Sequence, residues 1–489
     1  MVKFMENVIS LEDLGYIPLM PERINIETFI YIIKSGGHTS TTTNKEIPQD
    51  LIDTVKKYLL DEHKELIQES FGDEVKKKAL WGVVSQFITS QPNIEGFTLE
   101  QLAKGIVDAV AGLDVLEAFA EQDTVTDIIC NNWDEIWIKD LEKGDYLSNV
   151  TFKSKEAYLA LCNKFVNASG QTWTHSKPKC DAYFSNMRIN LVGFDISKYG
   201  VSLAIRIFGK TLRINDEIIV EEGLASKEML PLFTAMMRSR SRILISGETG
   251  TGKTEFMKYL LGKKVKTDKT LVLQDVDEMN LKQIYSKEWN LSTWLTRERE
   301  DSSTSVTYED LLSGVVRQTI KIICINELRG REAWGAKKIA ETGHGILTSL
   351  HSPSAADSVE RYSSMCLEAV NISKEYLQQS IALNFDYGMH FELMLDGKRR
   401  LTEIVEYIGY ENGKLIYTPL YLFNVKEIKE FQDEHDQTKF IINGSHERVG
   451  KLSGRMIKEL KFKGIKTSEL EVTKELPVVK EGEKLIGIS

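Results

Sequence analysis

Apolar residues recur along this chain with two different periods, and each change of period marks a change of structure. In LIDTVKKYLLDEHKELIQESF (51–71), Leu51, Val55, Leu59 and Leu66 share one helical face, with Lys, Asp and Glu opposite. The polar GGHTSTTTNKE (36–46) before it reads as a mobile loop. Thr98 and Gln101 have the spacing of a capping box, and Phe97 with Leu102 that of its hydrophobic staple, ahead of a helix through AKGIVDAVAGLDVLEAFA. These patterns predict a helical domain over 1–118, suited to docking rather than chemistry. Over 119–210 the pattern changes: VTDIICN, EIWIKDL, MRINLVG and VSLAIRIF read as strands and KEAYLALCNKFVNAS as a helix, a small α+β domain. Residues 211–223 read as a linker.

From 224 to 425 helix and strand alternate. MLPLFTAMMRSR, TEFMKYLLG, LLSGVVRQ and EAWGAKKIAET read as helices, and RILIS, TLVLQD, IKIICINE and ILTSLH as nearly continuous apolar strands. That alternation predicts an α/β domain whose parallel sheet is covered on both faces. MHFELMLDG, RLTEIVEYIGY and KLIYTPLYLF follow as an antiparallel β appendage, and 426–489 as a charged tail, helical from 445.

At 489 residues the chain has room for about three domains. Hydrophobic content of 42% and charged content of 27% fit a globular protein and exclude disorder as its main state. The net charge of −10 argues against a protein that coats nucleic acid. There is no apolar run of the ~18 residues that a membrane helix needs. The N-terminus MVKFMENVISLEDLGY carries acids where a signal peptide is apolar, which predicts a cytoplasmic location. The 5 cysteines are scattered without a CxxC pair, so neither a disulfide framework nor a zinc cage is expected.

The chemistry concentrates in GETGTGKT, residues Gly247, Glu248, Thr249, Gly250, Thr251, Gly252, Lys253 and Thr254. It lies between the strand RILIS and a helix, the setting in which glycines let backbone N–H groups surround phosphate oxygens. Lys253 then reaches the β- and γ-phosphates of ATP, and Thr254 holds Mg²⁺. The other strands also end in polar residues: TLVLQ in Asp275 with Glu278 beyond it, IKIICIN in Glu327, and ILTSL in His351. In a parallel sheet these carboxyl ends share the crevice that holds the loop. Glu327 suits the ordering of the metal's water shell, and Glu278 the polarising of water. Taken alone, Glu278 also fits a solvated acid in a first helical turn, and His351 a structural histidine.

Taken in order, GETGTGKT, QDVDE (274–278), NELRG (326–330) and TGHGILTSLH (342–351) resemble the Walker A, aspartate, Walker B and histidine boxes of bacterial secretion ATPases, the hexameric traffic ATPases of type II and type IV secretion, conjugation and pilus assembly. VTDIICNNWDEIWI, PKCDAYFSNMRINLVG with VSLAIRIF, and LDGKRRLTEIVEYIGYENGKLIYTPLYLF extend the resemblance over about 112–425.

The resemblance implies a RecA-like P-loop ATPase domain preceded by a smaller α+β domain and an N-terminal helical domain. It implies a homohexamer working with ATP and Mg²⁺ at the cytoplasmic face of the membrane, beside inner-membrane components of a secretion or conjugation machine. No sequence-specific nucleic-acid binding is expected. It also implies that Arg188 and Arg206 contact nucleotide phosphates, a role suited to arginine's planar fork. The chain departs from the pattern at Asn326, where the family usually has Gly, and at Gln274, where the conjugation branch usually has Glu. The rivals are a tight-adherence or type IV pilus ATPase, a nucleic-acid motor, and a non-hydrolysing scaffold. In the tail, Arg448, Lys451, Arg455, Lys458, Lys461, Lys463 and Lys466 face only Glu459 over 448–466. They read as a solvated helix face, or as a contact for an acidic partner or anionic lipid.

Overall fold

The computed structural model describes residues 47–471 apart from 71–73, 92–93, 95, 170, 185, 210, 298–303, 316 and 433–437. The loop expected at 36–46, the start of the helical domain and the end of the tail therefore lie outside the described residues. The chain divides into two compact units, Met1–Ile207 and Phe208–Ser489. Among the described residues no helix is long and apolar enough to cross a membrane.

Among its described residues the first unit has the helices Gln49–Glu62, Lys64–Ser70, Glu74–Thr89 and Leu99–Ala111. The single long face seen in the sequence is split at His63, whose φ of −136° leaves helical geometry. Val55, Leu59, Leu80, Val84, Leu102 and Ile106 bury together as this block's core. The capping box forms: the Gln101 N–H donates to Thr98 Oγ1 at 3.2 Å and the Thr98 N–H to Gln101 Oε1 at 2.9 Å. Phe97 packs on the cluster that contains Leu102.

An antiparallel sheet of six strands follows: β1 (Val125–Asn132), β2 (Glu135–Asp140), β3 (Gly144–Leu147), β4 (Lys179–Phe184), β5 (Met187–Val192) and β6 (Ser202–Ile207), in the order β3-β2-β1-β6-β5-β4. The helix Lys155–Ser169 buries Tyr158, Leu161, Cys162 and Phe165 in the same core as Ile128, Ile138, Ile189 and Ile205. Because side chains alternate along a strand, Asp127, Arg188 and Arg206 point to the opposite face. Their register puts Asp127 opposite Arg206, and Arg206 opposite Arg188.

Among the described residues the second unit is built on nine strands: β7 (Arg242–Gly247), β8 (Thr270–Gln274), β9 (Leu291–Leu295), β10 (Ile322–Ile325), β11 (Gly345–Leu350), β12 (Tyr387–Leu393), β13 (Arg399–Glu411), β14 (Lys414–Gln432) and β15 (Thr438–Arg448). Their order is β15-β14-β13-β12-β7-β11-β10-β8-β9. All pairings from β12 to β9 are parallel, and those from β12 to β15 antiparallel. The apolar strands feed two cores by alternation. Ile243, Ile245, Val272 and Cys324 enter one, and Leu244, Leu271, Leu273, Ile323 and Ile325 the other. A strand apolar at every position is thus a strand covered on both faces. This is an α/β arrangement whose sheet is parallel from β12 to β9.

Two stretches differ from the sequence pattern. Residues 211–223 contain the helix Asp216–Glu221, whose Asp216 pairs with Lys263 at 2.6 Å and accepts from Tyr259 at 2.6 Å. The region expected to be a charged tail from 426 continues instead as β14 and β15. KEIKEFQ (426–432) reads as polar because this ribbon is exposed, as at Ile428 and Phe431. The tail helix is Gly454–Phe462, and Ser453 caps it while its own N–H donates to Glu406 at 2.8 Å. Several basic residues of 448–466 are engaged within the chain: Lys463 donates to Ser239 O at 2.7 Å, Lys461 pairs with Glu471 at 2.8 Å, and Arg448 donates to Leu470 O.

Candidate nucleotide site

Strand β7 ends at Gly247, and the loop that follows turns into the helix Lys253–Leu261. Gly247, Gly250 and Gly252 have φ of +144°, +84° and +94°, conformations that side chains disfavour. Gly247 has a second reason to be glycine: a Cβ there would lie 2.4 Å from Phe391 O on β12. Lys253 is 8% exposed, and its ammonium donates to Gly247 O at 2.8 Å and Glu248 O at 2.7 Å. Burial lowers its pKa, against the opposing charges of Glu327 and Glu248. A cation sequestered among carbonyls, at the N-terminus of a helix and in a loop without bulk, is a cradle that fits phosphate.

The carboxyl ends of β8, β10 and β11 meet this loop through two bonded chains. In the first, His351 Nδ1 lies 2.9 Å from Gly247 O and its Nε2 2.8 Å from Glu327 Oε1. Glu327 Oε2 accepts from Arg329 at 2.7 and 3.0 Å, and Arg329 reaches Asp275 at 3.6 Å. Asp275 also accepts from the Thr296 hydroxyl at 2.8 Å. In the second, the Thr254 hydroxyl donates to Asn326 Oδ1 at 3.3 Å, and Asn326 Nδ2 donates to Glu278 Oε2 at 3.1 Å. The hydroxyl and the carboxylates supply the hard oxygen donors that Mg²⁺ takes alongside phosphate.

Lys253, Thr254, Asp275, Glu278, Glu327 and His351 therefore converge as their strand-end positions predict. Arg188 and Arg206 lie in the other unit, where Arg206 Nε donates to Asp127 Oδ1 at 2.9 Å. Sequence reasoning assigned no role to three residues that the structure brings to the loop. Asn326, singled out only as a departure, is the side chain that meets Thr254. Arg329, inside NELRG, holds Glu327. Arg399, at the start of β13, donates to Gly250 O at 2.7 Å. Only the last lacked a local signal, because the β7–β12–β13 pairing brings it there.

A glycine loop between the central strand and a helix, with acids at the ends of neighbouring parallel strands, defines a P-loop nucleotide-binding fold. The family model described as type II/IV secretion system protein matches residues 111–383, and the chain belongs to that family of secretion ATPases. An uncharacterized protein of Bacillus anthracis is 27% identical over 413 residues, covering 79% of this chain and 90% of that protein. The type IV secretion system protein VirB11 of Brucella suis is 29% identical, over 36% of this chain and 48% of its own. A putative conjugal transfer protein of Mycobacterium tuberculosis is 21% identical, over 60% of this chain and 84% of its own.

Proposed function

We propose that the chain is a Mg²⁺-dependent ATPase, active as a homohexamer, that energises a type IV secretion or conjugative transfer machine from the cytoplasmic side of the membrane. The observation that carries this reading is the pair of bonded chains joining the P-loop to the ends of three neighbouring strands. Lys253 binds the transferring phosphate in place of the loop carbonyls it holds here. Glu278 takes the proton of the attacking water, while Glu327 and Thr254 serve the metal side of the site. Mg²⁺, when bound, supplies positive charge to the phosphate oxygens. Arg188 and Arg206 enter the proposal as phosphate-binding arginines on the family resemblance; within its own unit Arg206 pairs with Asp127 at 2.9 Å.

The relatives named for type IV secretion and conjugal transfer favour that system over pilus assembly, which stays the second reading. Steady-state phosphate release by the wild type and by Lys253→Ala tests the ATPase assignment. Light scattering with Mg·ATP tests the ring, and full activity from a strict monomer contradicts it. A strand-displacement assay separates this reading from a nucleic-acid motor.

A further inference from the structure

Asn326 stands between two groups that the proposed reaction uses. Its two partners orient its amide. An ionised Glu278 only accepts hydrogen bonds, so the NH2 group faces Glu278 Oε2, 3.1 Å away. The carbonyl oxygen is then left for the Thr254 hydroxyl, at 3.3 Å. The backbone beneath this side chain is fixed on both sides. The Asn326 N–H donates to Leu273 O at 3.1 Å, and its C=O accepts from the Ser349 hydroxyl at 2.6 Å. The residue is 8% exposed, so water competes little for either bond.

Each bond has a chemical consequence. A hydroxyl has one proton and two lone pairs. With its proton directed at Asn326, Thr254 keeps its lone pairs for a cation. Glu278 has three rotatable bonds, and an anchored Oε2 leaves the other oxygen of a positioned carboxylate to receive a proton. The linker between them is neutral. A carboxylate at position 326 would set a like charge beside Glu278 and would have no proton to donate to it. An amide offers an acceptor on one side and a donor on the other without that penalty.

We propose that Asn326 is a positioning residue that couples the hydroxyl serving the metal to the carboxylate that takes the water's proton. This deepens the ATPase reading and rests on it. Glycine at 326 removes both bonds. Aspartate, of nearly the same shape, retains the acceptor for Thr254, loses the donor to Glu278 and adds the like charge.

The test uses the full chain, with Mg·ATP affinity read from a fluorescent ATP analogue and turnover from phosphate release. Asn326→Gly is expected to lower kcat by roughly 10- to 100-fold, the scale of a catalytic group displaced by about 1 Å, with affinity within about threefold of wild type. Asn326→Asp, with an unchanged far-UV spectrum, is expected to lose at least as much turnover while still binding Mg·ATP. Wild-type turnover in either variant overturns the proposal. So does a loss of affinity in step with the loss of rate, which marks a purely structural role. The underlying reading fails separately: a wild-type chain that releases no more phosphate than Lys253→Ala removes the ATPase assignment itself.

Discussion

Replacing Gly247 by alanine perturbs the site where its geometry is tightest. Two costs follow from the structure. Gly247 has φ of +144°, where a side chain strains the backbone by about 1–3 kcal/mol. The new Cβ also meets Phe391 O at 2.4 Å, and that oxygen belongs to a strand paired with β7, so it cannot rotate away. Overpacking of this kind costs about 1–3 kcal/mol more. A combined ~4 kcal/mol is a large share of the 5–15 kcal/mol that typically holds a domain together. At about 2–4 °C per kcal/mol for a domain of this size class, the melting temperature falls by roughly 8–16 °C. Gly250→Ala is the internal control. Its φ of +84° is also strained, but a Cβ there meets nothing within 4 Å, so only about 1–2 kcal/mol is lost. Thermal unfolding followed by far-UV circular dichroism reads both variants. If Gly247→Ala melts within 2–3 °C of Gly250→Ala, the claimed approach of β12 to the loop is wrong.

Glu278→Gln is expected to bind Mg·ATP nearly as the wild type does and to stop hydrolysis, whereas Glu327→Gln shifts the Mg²⁺ dependence as well as the rate, because charge beside the metal is lost. Mg²⁺ titrations of binding and turnover separate them, and normal hydrolysis by Glu278→Gln moves the base elsewhere. His446, edge-on to Phe423 at 4.9 Å, has its pKa lowered by burial to about 4 from an ordinary 6.5. Between those values the unfolded chain binds a proton that the folded chain refuses, so stability falls as pH drops from 6.5 to 4, by about 3 kcal/mol at most. His446→Phe is expected to flatten that part of the pH–stability curve, and an unchanged slope contradicts the assignment.

The parallel block was legible because its strands are apolar at nearly every position and its loop carries three glycines in fixed spacing. Lys253, Glu278, Glu327 and His351 could be placed in one crevice from the strand-end rule alone. What the sequence hid has physical causes. β3 (GDYL) is too short and too exposed to stand out by alternation, and the outer part of the β14–β15 ribbon looks like a charged tail because solvent surrounds it. In the sequence Asn326 is only a departure from a family pattern. Its two bonds become visible only when β8, β10 and the P-loop are brought together. Arg399 depends on two successive strand pairings, β7–β12 and β12–β13, so no local window contains it.

Steady-state phosphate release, measured on the full chain with Mg²⁺ and ATP, tests the central claim most directly. The wild type is expected to turn over ATP, and Lys253→Ala to lose that turnover by at least about 100-fold with the same far-UV spectrum, since the charge on the transferring phosphate is gone. Near-normal release by Lys253→Ala, or none above it from the wild type, contradicts the account.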